Sequence, residues 1–239
     1  MEGWNENCTY NGLMEFVIRG LKFFLAGLCL ALVFSMRVFG SDAPMPPPAQ
    51  VEGAVIHDTT WKGRVMVVGD VLVPEGVTLT IAPGTDVMFM SSDSSKIEPA
   101  FLSMQTEIMV RGRLLAVGEN NKLITFGPAP EDINGKRPER GDWGGIIFDS
   151  PESGKSWVTN ASFIKADTAL AFYGSSPYIA ACTVTDCRYG IVSMSGSAPK
   201  FESCTITGNE FGVVSGSGGR PSFEKCSISK NEHDFLGRD

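Results

Sequence analysis

From residue 177 onward, apolar and polar positions alternate in short bursts that return every 22 residues. The lines PYIAACTVTDCRYGIVS (177–193), PKFESCTITGNEFGVVS (199–215) and PSFEKCSISKNEHDFLG (221–237) superpose position by position. In Cys182-Thr183-Val184-Thr185 the cysteine and valine share parity, as do Cys204 with Ile206 and Cys226 with Ile228. Side chains alternate across a strand, so these pairs point inward and the hydroxyl residues point out. A second strand recurs in each line: GIIF at 145–148, ALAF at 169–172, GIVS at 190–193 and GVVS at 212–215. A period in the low twenties with strand-length segments and no helical pattern predicts a solenoid of stacked rungs.

The same texture extends upstream. Val65–Val68, Val71–Val73, Leu79–Ile81, Val87–Phe89, Ile108–Val110, Leu114–Val117 and Ile124–Phe126 read as strands. Gly69-Asp70, Pro74-Glu75-Gly76 and Pro83-Gly84 read as the turns between them. The stretch DTTWKGRVMVVGDVLVPEGVTLTIAPGTDVMF (58–89), the segment GDWGGIIF (141–148) and the Asn-bearing final repeats resemble secreted right-handed parallel β-helix proteins of the pectate-lyase-like superfamily. The resemblance covers residues 53–235 and implies an all-β, single-stranded right-handed parallel β-helix with rungs of about 22 residues. It implies little about function, because this fold hosts lyases, hydrolases, adhesins and non-enzymatic envelope proteins.

Domain organisation follows from composition. Phe23–Phe34 (FFLAGLCLALVF) is an apolar run preceded by Arg19 and Lys22. It is short for a membrane span and suits the core of a signal peptide over residues 1–40, with Met14 as a candidate start. No stable membrane span is then expected after cleavage; the alternative is a retained N-terminal anchor helix, with the basic Arg37 after the run. Residues 41–52 form a Pro-rich leader and 53–239 the β-helix domain. The expected location is outside the cytoplasm: periplasmic, cell-surface or secreted. Net charge is −7, so the basic footprint of a nucleic-acid binder is absent.

Candidate chemistry is sparse. The two histidines, His57 and His233, have no evident nucleophilic partner, and a Ser-His-Asp arrangement has no support. The superfamily resemblance implies that a pectin-cleaving site would combine clustered acids holding calcium with a basic residue, or paired aspartates. Asp167, Asp186 and Arg188 are the nearest match, although the two aspartates are not a clean rung apart. The cysteine column Cys182, Cys204 and Cys226 predicts a buried thiol stack in preference to inter-rung disulfides, and no metal site, because a ladder of ligands does not converge on one point. Asn209 and Asn231, with Cys187 in the equivalent place, read as a backbone-bonding ladder.

Long loops carry the binding expectation. Strands 87–89, 124–126, 146–148 and 170–172 all end in Phe. If those ends are equivalent corners, loops 90–107, 127–142, 149–156 and 173–177 emerge along one edge. Lys136, Arg137 and Arg140 are candidates for contacting acidic sugars, with Trp143 or Trp157 as a stacking surface; the alternative is a solvated loop with Trp143 packed in the core. Loop 91–105, with Phe101, Leu102 and Met104, suggests packing over the flank or a partner contact. His233 and Asp234 place charge on the last rung, which reads as protection against end-to-end stacking. The leading expectation is a non-catalytic module presenting a loop-lined flank to a polysaccharide or an envelope protein, with no cofactor. A polysaccharide lyase or hydrolase, with calcium if a lyase, is the second reading. A structural subunit that oligomerises through the solenoid end is the third.

Overall fold

The structure is a computed structural model in which residues 46–91, 104–130, 135 and 137–237 are described. The signal-peptide reading of residues 1–40, and Phe101 and Leu102, lie outside the described residues.

The regular secondary structure of the described residues is almost entirely strand. Its opening comprises β1 (Ala49–Ala54), β2 (Thr59–Trp61), β3 (Arg64–Val73), β4 (Thr78–Ile81), β5 (Asp86–Phe89) and β6 (Glu107–Val110). The middle comprises β7 (Arg113–Val117), β8 (Ile124–Pro128), β9 (Trp143–Phe148), β10 (Trp157–Thr159), β11 (Ala161–Ile164) and β12 (Ala166–Tyr173). The regular repeats give β13 (Tyr178–Ala180), β14 (Thr183–Thr185), β15 (Tyr189–Met194), β16 (Lys200–Glu202), β17 (Thr205–Thr207) and β18 (Phe211–Ser215). The last rung is β19 (Ser222–Glu224), β20 (Ser227–Ser229) and β21 (His233–Leu236). One 3-10 turn, Ser153–Lys155, interrupts the series. Among the described residues no helix is long and apolar enough to cross a membrane.

Every strand pairs in parallel with its equivalent one rung away, which makes three faces. Face one stacks β2, β4, β7, β10, β13, β16 and β19. Face two runs from β5 through β8, β11, β14 and β17 to β20, and face three from β6 through β9, β12, β15 and β18 to β21. The long strand β3 pairs with both β5 and β6 and so begins both faces, and β1 covers it. β1 opens at Ala49, so part of the sequence read as Pro-rich leader is already sheet.

In-register stacking puts like on like. Trp61, Ile81, Ala116, Val158, Ile179, Phe201 and Phe223 form the inner column of face one. The rings of Phe126 and Phe163 stack at 4.8 Å, and those of Phe148 and Phe172 at 5.2 Å. A one-residue slip would turn every such column outward, so burial fixes the register. From β10 onward the corners are sharp because each rung places a left-handed residue there. Asn160, Ala181, Ser203 and Lys225 do so after face one, and Lys165, Asp186, Gly208 and Lys230 after face two.

One expectation about the loops needs correction. The four long loops do not share an edge. Loops 90–106 and 129–142 leave the corner between faces two and three, whereas 149–156 and 174–177 leave the corner between faces three and one. The reason is register: Phe89 lies opposite Pro128 and Phe126 opposite Phe163, while Phe148 and Phe172 belong to another face. The shared Phe therefore ends strands on two different faces.

Candidate functional site

The corner between faces two and three gathers most of the sequence-selected charges. Asp167, Arg188, Glu210 and Glu232 are equivalent residues of successive rungs, just before or within the strands of face three. Arg188 Nη1 lies 3.5 Å from Asp167 and its Nε 3.9 Å from Glu210. Asp186 belongs to the neighbouring column with Lys165, whose Nζ is 3.2 Å away. Asp167 and Asp186 thus carry different partners and form no acid–base pair. Burial raises the Asp167 carboxyl above its ordinary value, with Arg188 pulling it back.

Arg140 crosses this corner lengthwise. It meets Asp186 at 3.4 Å and Glu232 at 3.3 Å, and donates to the Gly208 carbonyl at 3.0 Å. Lys165 Nζ donates to the Pro138 carbonyl, and Gly141 N to the Lys165 carbonyl. Residues 138–141 are thereby strapped along the rungs, and Arg140 holds the chain's own acids rather than offering itself to a ligand. Arg137 is exposed nearby, and Lys136 lies outside the described residues. With their acids each matched to a base, these residues do not fit the converging oxygen cage that calcium takes. Among the described residues, no three of His, Cys, Asp or Glu are grouped to hold a metal ion.

Trp143 is not a stacking platform. It is fully buried, its indole stacks on Phe89 at 4.1 Å, and its Nε1 donates to the Ile164 carbonyl at 2.8 Å. The aromatic column Tyr189, Phe211 and His233 beside the charge ladder is also closed to flat stacking. Its rings lie nearly parallel, 5.1 and 5.0 Å apart, and cover one another's faces.

Trp157 is different. It sits on the outer side of face one and is 54% exposed. The outer column there reads Thr60, Thr80, Leu115, Trp157, Tyr178, Lys200. The parallel column places Val117, Thr159, Ala180, Glu202 and Glu224 beside it. The Trp157 ring is 5.2 Å from Tyr178 but inclined by 50°, so the two do not cap each other. Tyr178 Oη donates to Glu202 Oε2 at 2.6 Å, and that bond raises the phenol above its ordinary value. The result is an apolar centre of Leu115, Val117, Trp157 and Tyr178, bordered by threonines towards one end and by Lys200 and Glu202 towards the other. Val117 and Trp157 are outward-facing apolar side chains with large exposure. Sequence reading found Trp157 alone. Extending the repeat backwards from Lys200 to Tyr178 and Trp157 would have exposed the column, because these positions recur at rung spacing.

The other polar residues at the corners serve the backbone. Asn209 Oδ1 accepts from Cys187 N at 2.9 Å, and its Nδ2 donates to the Val184 carbonyl at 3.2 Å. A serine ladder that the sequence did not reveal lies at the corner after face three. There Ser153 and Ser175 hydroxyls are 2.7 Å apart, and Ser197 donates to the Phe172 carbonyl at 3.2 Å.

The family model for the right handed beta helix region matches residues 142–237. No curated protein matches the chain. With strands following one another face by face and rung by rung, the chain is a right-handed parallel β-helix solenoid, consistent with the pectate-lyase-like superfamily.

Proposed function

We propose that this protein is a non-catalytic, exported β-helix module that binds a glycan through the outer side of face one. The observation that carries the reading is Trp157, more than half exposed at the centre of an apolar strip and inclined away from its ring neighbour. A flat aromatic face beside carboxylate, ammonium and hydroxyl groups suits a sugar ring, whose C–H face stacks while its hydroxyls hydrogen-bond. Glu202, Lys200 and Thr159 supply those groups. The export part of the reading rests on the apolar run Phe23–Phe34. Titration of the full chain with soluble oligosaccharides, followed by tryptophan emission, tests it: a saturable change lost in Trp157→Ala supports it, and an identical response in the variant counts against it. An envelope protein docked on the same strip is the outcome if no oligosaccharide binds but a cross-linked protein is lost with Trp157→Ala.

The hydrolase reading is kept for one observation. Asp167 has a raised carboxyl with Glu210 on the other side of Arg188, and a general acid needs such a shift. The intervening guanidinium speaks against it, since it occupies the space between the two acids.

A further inference from the structure

Cys182, Cys204 and Cys226 stand one above another at the corner between faces one and two, kept in register by β14, β17 and β20. Each sulfur leans on the carbonyl two residues before it: Ala180 at 3.2 Å, Glu202 at 3.4 Å and Glu224 at 3.3 Å. The first two cysteines are buried, and Cys226, on the last rung, is half-buried. Cys204 N donates to Cys226 Sγ at 3.3 Å, which holds the solvent-reached sulfur against the rung beneath it. Hydrogen bonding from Cys182, then from its other neighbours, brings the Cys204 thiol down to about 7, against the opposing effect of burial. Cys182, on the giving side of that bond and buried, is pushed well up.

We propose that Cys204 and Cys226 are a thiol–disulfide exchange site, in which a small disulfide enters at Cys226 and the two cysteines close across the last two rungs. Burial holds the Cys226 thiol above its ordinary value, so it is the deprotonated fraction that attacks one sulfur of the disulfide RSSR, forming a mixed disulfide and releasing one RS⁻. The Cys204 thiolate then attacks Cys226 Sγ, forming the Cys204–Cys226 bond and releasing the second RS⁻. Two protein thiols are oxidised, RSSR is reduced to two RSH, and the two thiol protons end on those products.

Rung spacing of about 4.8 Å falls inside the Cα range of a disulfide. Cys226 is the half-buried member of the column, and its sulfur already meets the Cys204 amide, so it is the thiol of this pair that a small disulfide reaches. Cys187 is excluded by its place on another corner and by burial, which pushes its thiol up to about 12.

The test treats the reduced full chain with oxidised glutathione, blocks remaining thiols with N-ethylmaleimide and maps tryptic peptides. Trypsin cuts after Lys225 and separates the two cysteines. The expected result is a cross-link joining the Cys204 peptide to Cys226-Ser-Ile-Ser-Lys230, with Cys182 and Cys187 carrying maleimide. Cys226 left as a thiol, Cys226 holding glutathione only, or Cys204 paired with Cys182 overturns the proposal. In Cys226→Ser, Cys204 should react at least tenfold more slowly while the far-UV spectrum is unchanged. Equal reactivity of Cys204 in that variant overturns the entry role of Cys226.

Discussion

Asp234 Oδ1 accepts from both Asn231 Nδ2, at 2.8 Å, and Asn231 N, at 3.2 Å. One rung earlier, Asn231 Oδ1 does the same for Asn209, at 2.9 and 3.0 Å. The aspartate thus occupies the bonding place of the next asparagine in the ladder. Its own position corresponds to Gly190 and Gly212 in the preceding rungs. A Cβ at Gly212 would lie 2.7 Å from Asn231 Nδ2, so glycine is required wherever a further asparagine stacks above. Among the described residues no asparagine stacks above Asp234, and its carboxylate takes both Asn231 donors.

Asp234→Ala should lower stability by about 1 kcal/mol, the usual net worth of a hydrogen bond, whereas Asp234→Asn, which keeps the acceptor, should cost less. Urea unfolding followed by circular dichroism checks the order. A costlier asparagine variant would contradict the capping account.

Asn209→Ala should cost more, roughly 2–3 kcal/mol, because it strips partners from the buried Cys187 amide and the Val184 carbonyl together. Loss of hydrogen-exchange protection at Cys187 N should accompany it. Protection equal to wild type would mean that the ladder is ornamental.

Trp143, buried, and Trp157, exposed, make a paired prediction. Trp143→Ala should cost about 3–5 kcal/mol, as for other large core aromatics. Trp157→Ala should change stability by less than about 0.5 kcal/mol and affect binding alone. Thermal melts of both variants separate core from surface; a large stability loss at Trp157 would place it in the packing.

Asp167 gives a pH dependence. Its folded carboxyl is raised by burial, so the folded state holds the proton more tightly than the unfolded chain. Stability contributed by that proton is present below the ordinary carboxylate value of 3.8 and is lost as pH climbs through the raised value. Arg188→Ala should raise the midpoint further, and Glu210→Gln should lower it, since those residues act in opposite senses. Carbon-detected NMR titration of Asp167 reads this directly. A wild-type midpoint at or below 3.8 would contradict it.

How much of this was readable beforehand differs by feature. The rung period, the inward cysteine and valine parity and the equivalence of Cys187, Asn209 and Asn231 follow from strict in-register stacking, which copies a position's chemistry from rung to rung. Face assignment did not follow. Phe89, Phe126, Phe148 and Phe172 look alike locally, yet which corner follows each strand depends on β3 serving two faces at once. For Trp143 the sequence left a stacking surface and core packing open; the contacts of Pro138 and Gly141 with Lys165 tie the loop down as the tryptophan enters β9 and the core. The longer rung between β7 and β10 hides Leu115 from the column of Trp157, whereas Tyr178 lies one ordinary rung away and was legible.

The most direct test of the account is electrophoresis of the full chain through gels cast with neutral or acidic polysaccharides, scoring retardation and new reducing or unsaturated ends in the same samples. The account predicts retardation without new ends, abolished in Trp157→Ala and retained in Asp167→Asn. New chain ends that vanish in Asp167→Asn while Trp157→Ala still produces them would contradict it and identify the charge ladder as an active site.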